Sequence, residues 1–452
     1  MSEPGSDAAL PLHESREQTA PLNSISARER RQLRMTLAST MIGTALEWYD
    51  FYLYGTAAAL VFNRLFFPSL SPLTATLAAF ATYGIGFMVR PIGGLVLGWV
   101  ADRHGRRPVL VITLLMMGLS TMAIGVLPSY AAIGAAAPVL LTIIRMVQGF
   151  GAGAEFGSAI TLCAEKAPAA RRGFFASWSG VGIAMGVLLS AGAFALVTRL
   201  PEAQFLSWGW RIPFLASFFA VAAGIAIRVL VTESPIFEQL EKADKVERMP
   251  IVGVWQRSKK HFLVAIGARM AENTAGFFFQ VWSLSYVTNQ LHVESSVPIT
   301  GVMLGSAIGM ATIPMFGMLS DRIGRKPVYM GGAVLMGLGM FPYFWLLNTR
   351  EPWLIIASMV VMICIVNYSM FSVQAAYFVE LFDSRSRVSG ISMSRELSAV
   401  LAGGLAPVLS SLLLVWSGGR YEAVAVYMIV TALITVVALM FGPETRGRAL
   451  DD

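Results

Sequence analysis

Several ionisable and amide side chains sit inside long apolar stretches of this chain. A charge at such a depth costs about 2.5–3.5 kcal/mol on insertion scales, so it faces a cavity, pairs with another group, or does both. Glu47 and Asp50 fall on one helical face, and Tyr54 continues it. Arg90 lies in the next stretch, with Tyr83 and Phe87 extending its face. Two antiparallel helices would bring Arg90 to the level of Asp50. The chemistry on offer is a carboxylate that takes up and releases a proton, at Asp50 or Glu47, beside a guanidinium that binds a substrate carboxylate bidentately. The alternative is a structural ion pair between two helices.

A later stretch puts Gln148 and Glu155 on one face, with Arg145 about 60° off it. Arg145 suits a carboxylate ligand or neighbour, and Glu155 suits a second proton site or a salt-bridge partner. Gly149, Gly153 and Gly157, at four-residue spacing, read as helix packing. Further on, Arg269, Asn273, Gly276 and Gln280 form one stripe, with Glu272 beside Arg269 and Phe277, Phe278, Phe279 and Trp282 around it. Asn367, Gln374 and Tyr377 align in another. These amides and hydroxyls suit contacts to the body of a substrate, or hydrogen bonds between helices. Arg395 and Glu396 read as a structural pair, and Arg228 snorkels without a role.

Long apolar helices must carry these residues. Of 452 residues, 56% are hydrophobic and 13% charged, about half the charge of a soluble domain. Apolar runs long enough to cross a bilayer recur near 36–62, 76–100, 109–127, 138–164, 174–198, 212–231, 262–289, 297–319, 328–347, 353–381, 389–415 and 421–441. With the N-terminus inside, 24 of the 34 Lys and Arg fall on inner segments, 5 on outer loops and 5 within spans. That imbalance predicts both termini in the cytoplasm. The net charge of +7 is then an orientation signal, not a nucleic-acid footprint. The expected fold is all-α, with twelve transmembrane helices in two six-helix bundles. Residues 1–35 read as a disordered cytoplasmic tail, 36–231 as the first bundle, 232–260 as a cytoplasmic linker, 261–442 as the second bundle and 443–452 as a short tail. The two cysteines and four histidines have no metal-ligand spacing. No metal, cofactor or nucleic-acid partner is expected, and no P-loop is present for an ATPase.

The halves repeat each other. Gly98-Trp-Val-Ala-Asp102-Arg103-His-Gly105-Arg106-Arg107-Pro108 follows the second span, and Gly317-Met-Leu-Ser-Asp321-Arg322-Ile-Gly324-Arg325-Lys326-Pro327 follows the eighth, 219 residues later. Span 4 leads to Glu165 and span 10 to Glu380, each followed by arginines. Orientation alone would need only the positive charges. The repeated Asp and Gly argue for conformational locks clamping the cytoplasmic ends of the bundles.

Both loops, at matching positions, resemble the hallmark of the major facilitator superfamily. Within it, Glu47-Trp48-Tyr49-Asp50-Phe51, Arg90-Pro91-Ile92-Gly93-Gly94 and Arg145-Met146-Val147-Gln148-Gly149 are similar to the metabolite:proton symporters, which carry carboxylates, proline or betaine. Thr56–Phe62 and Phe205–Phe214 are similar to the shikimate permease branch, and the whole is shikimate / α-ketoglutarate permease-like. Two departures leave the substrate open: Ala154-Glu155-Phe156 stands where the family reads Gly-Glu-Trp, and Glu47 replaces an Asp. The resemblance implies a monomeric, multi-pass symporter in a bacterial plasma membrane. It would import a small organic acid with protons by alternating access. The alternative is an osmolyte permease for proline or betaine, whose relatives often carry a C-terminal coiled coil not expected here. A membrane receptor or a soluble enzyme has no support in the sequence.

Overall fold

The computed structural model describes residues 27–104, 106–153, 167–230, 258–382, 387–448 and 450. Twelve long helices account for almost all of them, and no strand occurs among the described residues. Helix α1 runs from Ala27 through a wide turn at Ala58–Phe62 to Leu65; α2 is Pro72–His104, α3 Arg106–Val126, α4 Ala136–Ala152, α5 Arg172–Val197 and α6 Arg211–Leu230. Helix α7 spans 259–290, α8 Ser296–Ile323, α9 Arg325–Asn348, α10 Pro352–Leu381, α11 387–416 and α12 Glu422–Phe441. Each expected span coincides with one helix to within a few residues, as far as described residues reach. Helix α1 already begins at Ala27, inside the stretch read as tail.

The partition of residue types is inside-out. Val126, Leu196, Phe219, Leu338 and Phe441 are exposed, whereas five of the twelve largest fully buried side chains are arginines. Apolar side chains therefore face lipid, and charge is gathered between the helices. Trp208, Trp353 and Trp416 are exposed at helix ends away from the repeated loops, where an aromatic belt meets the headgroups. Seven helices (α2, α5 and α8–α12) are long and apolar enough alone to cross a bilayer. Helices α1 and α7 fall short because they carry Glu47, Asp50, Arg269 and Glu272.

In the first half α1 packs on α5, α2 on α4, and α3 on α4 and α6; in the second, α7 packs on α12, α8 on α10, and α9 on α10 and α12. The halves meet where α5 lies along α8, α2 along α11 and α1 against α7. Small residues permit the tightest approaches. A Cβ on Gly149 or Gly153 of α4 would strike the α2 backbone at Gly86 or Arg90. Wide π turns interrupt α1, α7, α10 and α11, at Ala58–Phe62, Phe278–Trp282, Tyr286–Gln290, Met362–Asn367 and Ala399–Gly404. Such turns shift helical register near functional sites.

Candidate functional site

Three layers of buried polar groups lie within and between the halves. The side carrying the repeated loops is called the motif side here.

The first layer is ionic. Arg90 of α2 donates through Nε to Glu396 Oε2 at 2.9 Å and through Nη2 to Oε1 at 3.2 Å. Glu47 Oε1 lies 3.5 Å from the same Nη2. Arg90 was expected beside Asp50; the structure gives it Glu47, one helical turn nearer the motif side, and Glu396 from the other half. Glu396 therefore reaches across the molecule to the first half. Arg269 donates through Nε to Glu272 Oε2 at 3.4 Å and through Nη1 to the Arg395 carbonyl at 3.1 Å. Arg90, Glu396, Arg269 and Glu272 are all less than 6% exposed.

The second layer belongs to the first half. The Arg145 guanidinium lies in an aromatic box, its Cζ 4.4 Å from the Tyr54 ring centroid, 4.8 Å from Tyr83 and 5.0 Å from Phe51. Its Nη1 donates to Gln148 Oε1, while Nε and Nη2 have no hydrogen-bond acceptor among the described residues. Gln148 Nε2 donates to Thr121 Oγ1 at 2.7 Å. Thr121 Oγ1 in turn donates to the Met117 carbonyl at 3.0 Å, and Ser217 Oγ donates to Asp50 Oδ1 at 3.2 Å. A polar chain thus runs from Arg145 through Gln148 to Thr121. Among the described residues, Asp50 has the Ser217 hydroxyl as partner and no cation within salt-bridge distance. Tyr54 serves as a wall of the Arg145 box, its hydroxyl hydrogen-bonded to Thr82 at 2.7 Å.

The third layer lines a small cavity between α1, α5, α7 and α10. Its aromatic wall is a stack in which Phe277 lies 5.9 Å from Trp48 and 5.7 Å from Tyr52, near-parallel to both. Glu272, Asn273, Gln280 and Asn367 supply its polar lining. Both Gln280 amide atoms, Asn273 Nδ2 and Asn367 Oδ1 are buried without hydrogen-bond partners among the described residues. A buried polar atom left unpaired costs about 1–3 kcal/mol, so these atoms mark where a ligand would bond. Phe277 also packs edge-on against Tyr83 and Phe87, linking this wall to the Arg145 box. Gln374 sits just outside, donating to Glu272 Oε2 at 2.6 Å. Tyr377 shares its face but is about 15 Å further along α10 than Asn367. It lies against Gly442 and Tyr329, well below the cavity. A helical stripe fixes direction, not depth.

The motif side is closed by a separate lock. Asp321 accepts the main-chain N–H groups of Gly173 and Phe174, both at 2.9 Å, and Arg325 Nη1 at 2.6 Å. Arg325 and Arg172 both donate to Glu380, which also accepts the Thr445 hydroxyl at 2.8 Å. A Cβ on Gly173 would lie 2.7 Å from the Gly317 carbonyl, so the approach of α5 to α8 needs both glycines. Gly324, at φ 107°, makes the turn into α9, where Glu444 accepts the Arg325 and Lys326 N–H groups. Lys326 Nζ donates to the Met440 and Gly442 carbonyls within its own half, and Arg322 is exposed, so neither joins the cross-half contact. The sequence marked Glu380 and the arginines after span 4 only as parts of the repeat, and no local spacing pairs Arg172 with Glu380. Glu155 and Gly105, and the side chains of Asp102, Arg103, Arg106 and Arg107, lie outside the described residues. On the opposite side the halves also touch, with Asn289 Nδ2 donating to the Ala59 carbonyl at 2.8 Å.

Comparison with known proteins follows this geometry. The profile of the Major Facilitator Superfamily matches residues 35–403. The shikimate transporter of Escherichia coli K12 is 37% identical over 416 residues, covering 91% of this chain and 95% of that protein. The inner membrane metabolite transport protein YhjE of the same organism is 35% identical, covering 92% and 95%. Its proline/betaine transporter is 34% identical, covering 95% and 87%. Among solved structures, an inward-open xylose transporter from E. coli superposes with a TM-score of 0.70 at 20% identity, covering 93% of this chain and 98% of that one. At that identity the likeness is one of fold.

Proposed function

This chain belongs to the major facilitator superfamily, and from that premise we propose that it is a proton-coupled symporter importing a small organic acid by alternating access. The shikimate-like acids and other mono- or dicarboxylates are its substrate class. The observation carrying this reading is the coexistence of Arg145, a buried guanidinium without a carboxylate among the described residues, and Asp50, a buried carboxylate held by the Ser217 hydroxyl. A substrate carboxylate supplies the missing counter-charge to Arg145, and a proton neutralises Asp50, so both cross the membrane without net buried charge. Asp50 leads as the proton carrier, with Glu47 and Glu155 as further candidates. Arg145, Gln148, Tyr54 and Arg90 serve the carboxylate end; Arg269, Glu272, Asn273, Gln280, Asn367 and Gln374 serve the substrate body directly or through one another. The charge asymmetry makes the motif side cytoplasmic, in a bacterial inner membrane.

One observation favours a second reading. Among the described residues, the only charged one lining the cavity is Glu272, facing the Trp48, Phe277 and Tyr52 stack. That combination also accommodates the cationic end of proline or betaine. Uptake into proteoliposomes under an inward proton gradient separates the two. Shikimate, other hydroxylated and aromatic acids, di- and tricarboxylates, proline and betaine form the panel. Gradient-driven uptake of acids but not zwitterions is expected; the reverse selects the osmolyte reading, and no uptake of any solute removes both.

A further inference from the structure

We propose that Glu396 is a built-in competitor for the substrate carboxylate: it holds the Arg90 fork while the cavity is empty, and a carboxylate taking its place on Arg90 releases α11 from α2. This rests on reading the chain as a carrier of carboxylates.

Four observations carry it. The Arg90–Glu396 contact is bidentate, at 2.9 and 3.2 Å, the geometry a substrate carboxylate would adopt on the same fork. It joins the two halves at residues 306 positions apart. It lies on the motif side of the cavity: in α7, Arg269 at the ionic layer precedes Asn273, Gly276 and Gln280 at the cavity, counted from the motif-side end. Finally, the Phe51 ring lies 5.0 Å from both the Arg145 and Arg90 guanidinium carbons. A carboxylate leaving Arg145 therefore meets Arg90 beside the same ring. Glu47 remains at 3.5 Å throughout, so replacing one carboxylate by another on Arg90 leaves its charge environment unchanged. The exchange is like-for-like, while the mechanical link between the halves is lost. Substrate binding thus opens the floor of its own cavity.

The test uses the full chain in proteoliposomes with both native cysteines replaced by serine and a reporter from Gly276→Cys. That Cβ meets only Tyr52 Oη at 3.5 Å and Asn367 Nδ2 at 3.7 Å, so the substitution fits. An impermeant thiol reagent is applied from the motif side, with and without the acid that wild type takes up best in the panel. In the parent, the acid should speed modification. Glu396→Gln should raise the rate without acid about ten-fold, with little further response to acid. The Arg90→Glu/Glu396→Arg exchange should restore the slow rate, which also reports a folded protein, yet stay unresponsive to acid. An unchanged Glu396→Gln rate, or an exchanged pair that responds to acid like the parent, overturns the proposal. Absence of acid uptake by wild type instead overturns the carboxylate reading, and the rates without acid still report whether the pair is a latch.

Discussion

Arg172, at the start of α5, donates to Glu380, at the end of α10, across the divide between the halves at 3.1 Å. Glu380 also receives Arg325 twice and is completely buried at its side chain. One carboxylate therefore compensates two guanidiniums, with Asp321 helping on the Arg325 side. Removing one partner of a buried pair costs about 3–5 kcal/mol, because the remaining charge is left uncompensated. That cost falls on the motif-closed form, since opening exposes the arginines to water. Glu380→Ala should shift the resting protein toward the motif-open form and raise motif-side labelling of a cavity cysteine more than ten-fold. Labelling at the wild-type rate would show that the carboxylate is not what closes this side.

Asp50 should separate the two activities of a symporter. Asn keeps the hydrogen bond from Ser217 and the shape of the site, but it cannot cycle a proton. Asp50→Asn should therefore abolish accumulation under a proton gradient while sparing exchange of labelled for unlabelled acid. Accumulation at the wild-type level would move the proton to another carboxylate.

Gly86 gives access to Arg145 without altering its charge. A Cβ there would lie 2.7 Å from Arg145 Nε and 3.0 Å from its Cγ. Gly86→Ala pushes the guanidinium out of its aromatic box, and a displacement of this kind costs productive geometry rather than fold. We expect KM for the acid to rise about ten-fold, close to the effect of Arg145→Lys, which loses the planar fork. Uptake kinetics on both variants check this. A Gly86→Ala protein with unaltered KM would show that Arg145 does not meet the substrate.

The expected helices were legible because lipid imposes runs of apolar residues whatever the tertiary packing, and the repeated loops marked the lock through Asp321, Gly324 and Arg325. Pairing was much less legible. Arg90 met Glu396, and Arg172 met Glu380, over separations of 306 and 208 residues, and no local spacing rule reaches that far. Depth was lost for a second reason. Asn367, Gln374 and Tyr377 share a face, but a rise of about 1.5 Å per residue spreads them over three levels, of which only the first lines the cavity. The π turns that reset register in α1, α7, α10 and α11 carry no composition signal.

Gln280 tests whether the cavity is built for a ligand or for packing. Its two amide atoms are buried and lack partners among the described residues, while Phe277, Phe278 and Phe279 precede it on the same helix. If the amide served the fold, its removal would destabilise the protein. If it is held ready for a substrate hydroxyl or carbonyl, the empty protein bears its desolvation, about 1–3 kcal/mol, with nothing in return. Gln280→Leu, similar in length and apolar, should then raise the thermal unfolding temperature of the empty protein while raising KM at least several-fold. Differential scanning of detergent-solubilised protein, read beside uptake kinetics, supplies both numbers. A lower unfolding temperature with unchanged KM would assign Gln280 to packing and move substrate recognition to Asn273 and Asn367.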